Sequence, residues 1–171
     1  MIGEANNINT NNRNWYVAYT APRAEKKVAQ RLEKIGIDYY LPLRKQYRQW
    51  SDRKKMIHVP AFTSYIFVKV NQSEYYTAIC QSGMVRYIYF DGSPAIINEK
   101  TMEEIRRIFE SDPMVELCDH IPTPGEKYII PSGPLKGIEG KIIRLKGNTH
   151  FILEVKEWGK YLVLPYSTTL N

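Results

Sequence analysis

Very little in this sequence is equipped for chemistry. Its 171 residues include three histidines and two cysteines. His58, His120 and His150 lie far apart, with no metal-ligand spacing near either cysteine. Neither G-x-S-x-G nor H-E-x-x-H occurs, and no acidic pair has an evident catalytic role. These absences point away from an enzyme and give no residue set for a metal or a cofactor. Long apolar runs are missing as well, and none approaches the roughly 18–20 residues of a membrane span. The first fourteen residues, "MIGEANNINTNNRN", lack the apolar centre of a secretory signal, and six of them are asparagine. They read as a tail (1–14) that can bury little. Cys80 and Cys118 fall inside otherwise apolar patterns and read as buried thiols, which suits a reducing cytoplasm.

Acidic residues are scarce in one part of the chain only. The net charge is +6, and residues 1–111 hold 17 basic side chains against 11 acidic. Residues 112–171 hold seven of each. Two segments with different electrostatics suggest two modules, the first of them suited to a polyanion.

The patterning supports that division. "WYVAYT" (15–20) reads as a strand, and "PRAEKKVAQRLEKIG" as a helix with Pro22 in its first turn and Gly36 after its end. Ala24, Val28, Leu32 and Ile35 share one face of that helix, while Arg23, Lys27, Gln30, Arg31 and Lys34 form a basic stripe opposite. "DYYLPLRKQYRQW" and "KKMIHVPAFTSYIFVKV" read as two long strands around a basic tip. Residues 44–55 there carry six cations and one acid, Asp52. "SEYYTAICQSG" is a short helix with Ser73 as cap, and "DGS" turns a hairpin between "MVRYIYF" and "PAII". "NEKTMEEIRRIFES" is a helix capped by Asn98 that turns Met102, Ile105, Ile108 and Phe109 inward. The order predicts an α+β domain over 15–111, with helices against an antiparallel sheet. A proline-rich linker (112–121) follows, then a small barrel of short strands over 122–171.

The loop "IIPSGPLKGIEGKIIRL" (129–145) leaves three readings open. A phosphate-binding P-loop requires a hydroxyl residue after Gly140-Lys141 and a helix beyond, whereas Ile142 and more β-branched residues follow. The "GIEG" tetrad has the spacing of a KH-domain clamp, but that clamp joins two helices, and Glu139 would face the phosphate. The third reading is a strand–turn–strand in which Gly133, Gly137 and Gly140 stand where a Cβ would obstruct.

This loop, with its "GP-L-KG" core, resembles a KOW motif, which lies in small SH3-like β-barrels. "WYVAYTAPRAEKKVAQRLEKIG", "VPAFTSYIFVKV" and "MVRYIYFDGSPAIIN" resemble the N-terminal domain of NusG-type transcription factors, in the same order. The resemblance implies an elongation or antitermination factor whose N-terminal domain grips the clamp helices of RNA polymerase's largest subunit. The matching positions are Tyr19, Phe62 and Tyr65, expected as an exposed aromatic patch. By the same resemblance, Arg23, Lys27, Arg31 and Lys34, with Arg48, Arg53 and Lys54 of the tip, would meet nucleic acid such as the non-template DNA strand. The barrel would bind a ribosomal protein or a termination factor, with the turn Gly133, Lys136, Gly137, Ile138 and Gly140 as its rim.

"FTSY" departs from the F-P-G-Y of housekeeping members. "YFDGSPAII" and the short chain are closer to specialised RfaH-like factors, and the Asn-rich start and layout to the UpxY group that antiterminates capsular polysaccharide operons. A housekeeping NusG-type role and a KOW-type RNA- or ribosome-binding role are the alternatives. The neutral charge of 112–171 speaks against the latter. The chain is expected to be a cytoplasmic monomer whose C-terminal part is β-structured rather than a helical hairpin.

Overall fold

A computed structural model describes residues 12–111, 114–120, 125–145 and 147–166. The first sheet is built on β1 (Asn14–Thr20), which pairs antiparallel with β5 (Tyr65–Val70) on one side and β6 (Met84–Tyr87) on the other. β2 (Asp38–Tyr40) extends the β5 edge, and β9 (Ile96–Ile97) adds to β1. Strand alternation gives this sheet two faces. Ala18, Ile66, Val68 and Val70 point to a cluster with Val28 and Leu32 of α1 (Glu25–Lys34) and Ala78 of α2 (Gln72–Ile79). Trp15, Val17 and Phe67 point the other way, toward Met102, Ile105 and Ile108 of α3 (Glu99–Glu110).

Both long strands expected around the basic tip are broken. The first divides at Leu41-Pro42 into β2 and β3 (Leu43–Gln49). The second divides after Pro60 into β4 (Lys54–Pro60) and β5, across a turn in which Ser64 has φ 67°. Proline withholds a ladder donor, so the β3–β4 ribbon leaves the main sheet as a separate two-stranded arm. Between β7 (Tyr89–Phe90) and β8 (Ser93–Pro94), Asp91 and Gly92 both take positive φ, as a tight hairpin turn requires.

The helix ends show which capping signals were decisive. Asn98 caps α3 as expected, accepting from Thr101 N at 2.8 Å. The cap of α2 is Asn71 rather than Ser73, because Asn71 places Glu74 where it can complete a capping box. Ile35 follows the last turn of α1 and is exposed, so the inward face is Ala24, Val28 and Leu32. Tyr75 stacks on Tyr87 with ring centroids 4.0 Å apart, while Tyr76 and Cys80 face outward. The expectation of two buried thiols therefore fails at Cys80, which follows the last turn of α2; Cys118 is half-buried, and both are free.

The second sheet is antiparallel, in the order β10 (Glu116–Cys118), β14 (Lys160–Pro165), β13 (Asn148–Val155), β12 (Glu139–Leu145), β11 (Glu126–Ile129). β10 belongs to the segment expected as linker, and its pairing with β14 makes it an edge strand of this sheet. At the other end of the chain, Asn14 opens β1, while Arg13 pairs with Asp38 at 3.2 Å and with Glu74. The rest of the expected tail, residues 1–11, lies outside the described residues. The C-terminal strands agree with the β reading and not with a helical hairpin. The two sheets share one apolar core, in which Trp15, Phe67 and Ile105 belong to the same cluster as Phe151, Leu153 and Leu162.

Candidate interaction surfaces

The aromatic site begins with strand register. Tyr19 and Tyr65 are direct partners across β1 and β5, and their rings meet edge-on at 5.5 Å. The Arg86 guanidinium stands over Tyr19 at 5.5 Å. Phe62 lies in the turn before β5, edge-on to Phe109 of α3 at 5.3 Å. That turn is held by a buried carboxylate: Glu25, at the start of α1, accepts from Ser64 N at 2.7 Å. Ser64 occupies the left-handed region that favours glycine, which is the position where "FTSY" departs from F-P-G-Y.

Tyr19, Phe62 and Tyr65 were expected exposed; Tyr19 and Tyr65 meet directly, and Phe62 shares only Trp158 with Tyr65. Phe62 is only 3% exposed, and both tyrosines are half-buried. Over Phe62 and Tyr65 lies Trp158, in the turn between β13 and β14 of the second sheet. Its ring meets Tyr65 at 5.0 Å, Phe67 at 5.6 Å and Phe62 at 6.1 Å, each edge-on. Trp158 is 2% exposed, and its indole Nε1 has no hydrogen-bond partner among the described residues. The next residue, Gly159, has φ 66°, and a Cβ there would stand 2.2 Å from the Phe90 ring. Glycine is required at this position twice over, for its backbone and for the approach of Phe90.

Polar contacts flank the indole. Asn98 Nδ2 donates to Glu157 Oε1 at 2.6 Å. Arg107 of α3 donates through Nη2 to Pro134 O at 2.8 Å and Lys136 O at 2.7 Å. The glycine-rich loop is thus held by the first domain. It is a strand–turn–strand, closed by Gly137 N donating to Ile130 O at 2.8 Å and Ile138 N to Leu135 O at 3.2 Å. A Cβ would obstruct only at Gly140, where it would lie 2.3 Å from Ile152 O; Gly133 and Gly137 face open space and serve through positive φ instead. Lys136 is exposed, but Ile138 is fully buried in the core, so the loop rim loses one of its expected contact residues.

Between α3 and the second sheet runs a groove of about 760 Å³, whose lining includes Glu104, Glu139, Lys100 and Lys127. Burial, with Glu139 nearby, pushes the Glu104 carboxyl above its ordinary range against the opposing pull of Lys100 and Arg107.

The cations divide by role. Lys27 and Lys34 are exposed along α1, but Pro22 and Arg23 lie in the turn before it rather than in its first turn, and Arg23, at φ 64°, leaves the expected helical stripe; Arg31 donates to Ser82 O at 2.7 Å and braces the turn after α2. Lys26 donates to His58 O and ties α1 to the base of the β3–β4 arm. Arg48, Arg53 and Lys54 stand exposed on that arm. Residues that sequence reasoning missed are Trp158, Arg107 and Glu25. Glu25 was legible as a residue of the first helical turn, but the other two act across domains and left no local signal.

The family model for the transcription termination factor NusG matches residues 13–106, more than half of the chain. No curated protein matches as a sequence relative. Among solved structures, the chain is similar to one described as "Domain interaction in Thermotoga maritima NusG", with a TM-score of 0.53 and 18% identity. That likeness covers 90% of this chain and 93% of the other, and it extends the shared fold beyond the first domain. The order of elements around the paired tyrosines and the family match lead to one assignment: this chain belongs to the NusG family of transcription factors.

Proposed function

We propose that this protein is a transcription elongation and antitermination factor that grips the clamp helices of RNA polymerase through Tyr19, Phe62 and Tyr65. The observation that carries this reading is the packing of Trp158 on two of those rings, Phe62 and Tyr65. A surface that accepts an aromatic side chain from its own C-terminal domain is apolar and shaped to receive an aromatic or aliphatic anchor. Such an anchor buries ~150–250 Å², the size of an interface hot spot. The two occupants compete, so the closed chain is the resting form and polymerase binding requires Trp158 to leave.

The exposed cations Arg23, Lys27 and Lys34 then meet the non-template DNA strand. Sequence-independent phosphate contacts typically give Kd values of only ~10⁻⁴–10⁻⁶ M, so the aromatic dock supplies most of the affinity. Once released, the C-terminal domain offers the Lys136 turn to a ribosomal protein or a termination factor. The RfaH-like "YFDGSPAII" segment favours a specialised role at a dedicated operon, and the UpxY-like layout one of the capsular polysaccharide type, carried out by a monomer in the cytoplasm.

The test is binding of the full chain to a coiled-coil fragment carrying the polymerase clamp helices. Trp158→Ala should bind more tightly than the unaltered chain, and Phe62→Ala combined with Trp158→Ala should bind poorly. Equal binding by all three proteins overturns the assignment of the surface. Read-through of a terminator in a reconstituted elongation complex tests the antitermination role.

A further inference from the structure

Among the described residues three polar or charged side chains are buried, and hydrogen bonds join all three residues into one chain. Thr20 is fully buried, and Glu25 and Ser64 are each 3% exposed. Tyr19 and Tyr65 form the last rung of the β1–β5 ladder. One step beyond it, Thr20 N donates to Ser64 O at 2.9 Å, while Glu25 Oε1 accepts from Ser64 N at 2.7 Å. Ser64 is thus held at both of its backbone groups, immediately before Tyr65. The next residue of α1 extends the hold, since Lys26 donates to His58 O. Two successive residues of one helical turn therefore fix both ends of segment 58–64, which carries Phe62.

Stability gives a poor account of this arrangement. An acidic side chain in the first turn of a helix ordinarily complements the free amides at that helix's own end. Here α1 has no side-chain N-cap bond, and Glu25 turns instead to a residue 39 positions away. Burying a carboxylate is costly unless hydrogen bonds compensate it, and Ser64 adds a left-handed backbone at φ 67°. Backbone held in this way is characteristic of positions where its geometry serves a binding surface. The surface beside it is the aromatic dock. Tyr19 and Tyr65 are the chain neighbours of Thr20 and Ser64, and Phe62 lies inside the clamped segment.

We infer that Glu25 is a positioning residue for the polymerase dock. Its burial means that it acts through Ser64 and not by touching the partner. By fixing the Ser64 backbone, and through it the bond to Thr20, Glu25 keeps Tyr19 and Tyr65 at their edge-on spacing of 5.5 Å and holds the segment bearing Phe62 against α1. The inference rests on the proposed binding of the clamp helices at these three rings.

The experiment measures binding of the clamp-helix coiled-coil fragment to the full chain carrying Trp158→Ala, in which the dock is uncovered. Adding Glu25→Ala should weaken binding about tenfold, the size of one lost charge-assisted hydrogen bond. Glu25→Gln keeps a carbonyl acceptor for Ser64 N and should recover most of that loss. Glu25→Met fills the same space without an acceptor, keeps the domain folded and should bind as weakly as Glu25→Ala. Val28→Ala, at a fully buried position of the same helix, measures a purely structural change. It should lower the urea midpoint and leave the affinity unaltered. Ring-to-ring nuclear Overhauser effects between Tyr19 and Tyr65 should weaken in the Glu25→Met protein, while those around Leu32 persist. Binding by the Glu25→Met protein equal to that of its parent overturns the inference. So does a glutamine that restores nothing, or a Val28→Ala protein that binds as weakly. A Phe62→Ala control that still binds poorly in those cases leaves the dock standing. Failure of the Trp158→Ala parent to bind overturns the dock, and this inference with it.

Discussion

The ring of Trp158 meets that of Tyr65 at 5.0 Å, inclined by 73°, so that one domain's turn closes over the other domain's strand. Tyr65 stands on β5 of the first sheet, and Trp158 in the turn between β13 and β14 of the second.

Removing that ring should open the molecule. Full burial of Trp158 at ~25 cal/mol/Å² over ~200 Å² corresponds to about 5 kcal/mol, less the cost of leaving its N–H unbonded. Trp158→Ala should therefore shift the chain to an extended form, read as a larger radius of gyration in small-angle scattering. The strands of each sheet should stay intact by circular dichroism.

Gly159→Ala should act in the same direction without touching the aromatic ring. The added methyl collides with Phe90 and must also take φ 66°, so the turn withdraws from the first domain. Amide chemical shifts at the Phe90 turn and the β13–β14 turn should change together. If they do not, Phe90 yields by rotation and the contact is softer than its distance implies.

Arg107→Ala removes donors to two carbonyls of the glycine-rich loop. The expected cost to domain closure is about 1 kcal/mol, since the guanidinium is partly solvated. Hydrogen exchange should rise in residues 131–138 first, while α3 itself stays protected.

Ser64→Gly should stabilise the first domain. Relief of a left-handed non-glycine residue is worth ~1–2 kcal/mol, partly offset by the freedom glycine gains in the unfolded chain. A rise of a few tenths to 1 kcal/mol in urea unfolding is expected. The Glu25 contact is to the backbone N–H, so the substitution keeps it.

Closure should also depend on pH through Glu104. Its carboxyl is raised above the ordinary 4.5 by burial in the interdomain groove, so the closed form binds a proton more tightly than the open one. The stabilisation is complete below pH 4.5 and is lost as pH rises through the raised value. Scattering between pH 4 and 7 should show the chain opening with rising pH, and Glu104→Gln should flatten the response. An unchanged response in that variant would assign the effect elsewhere.

The sheet faces were legible in sequence because strand alternation in "WYVAYT" and "YIFVKV" leaves one register that buries both sides. Glycine-rich turns and the Asn98 cap were legible for the same local reason. Two kinds of feature were not. The breaks at Pro42 and Pro60 were hidden by continuous apolar character across them, although the proline itself was the signal. The cover over Phe62 was hidden because nothing near Trp158 in sequence distinguishes a ring that fills its own barrel from one that fills a neighbour. The expectation that Tyr19, Phe62 and Tyr65 are exposed failed because Trp158 and Phe109, distant in sequence, pack against Phe62.

The indole N–H of Trp158, which has no acceptor among the described residues, weakens the hold on the closed state. A buried donor without an acceptor subtracts ~1–3 kcal/mol from closure, which is a factor of about 5 to 150 in the open-to-closed ratio. The apparent affinity of any partner for the covered surface is its intrinsic affinity scaled by the open fraction. Supplying one acceptor opposite Nε1 would satisfy the donor, lower that fraction and mute the protein without altering a single contact residue of its partner.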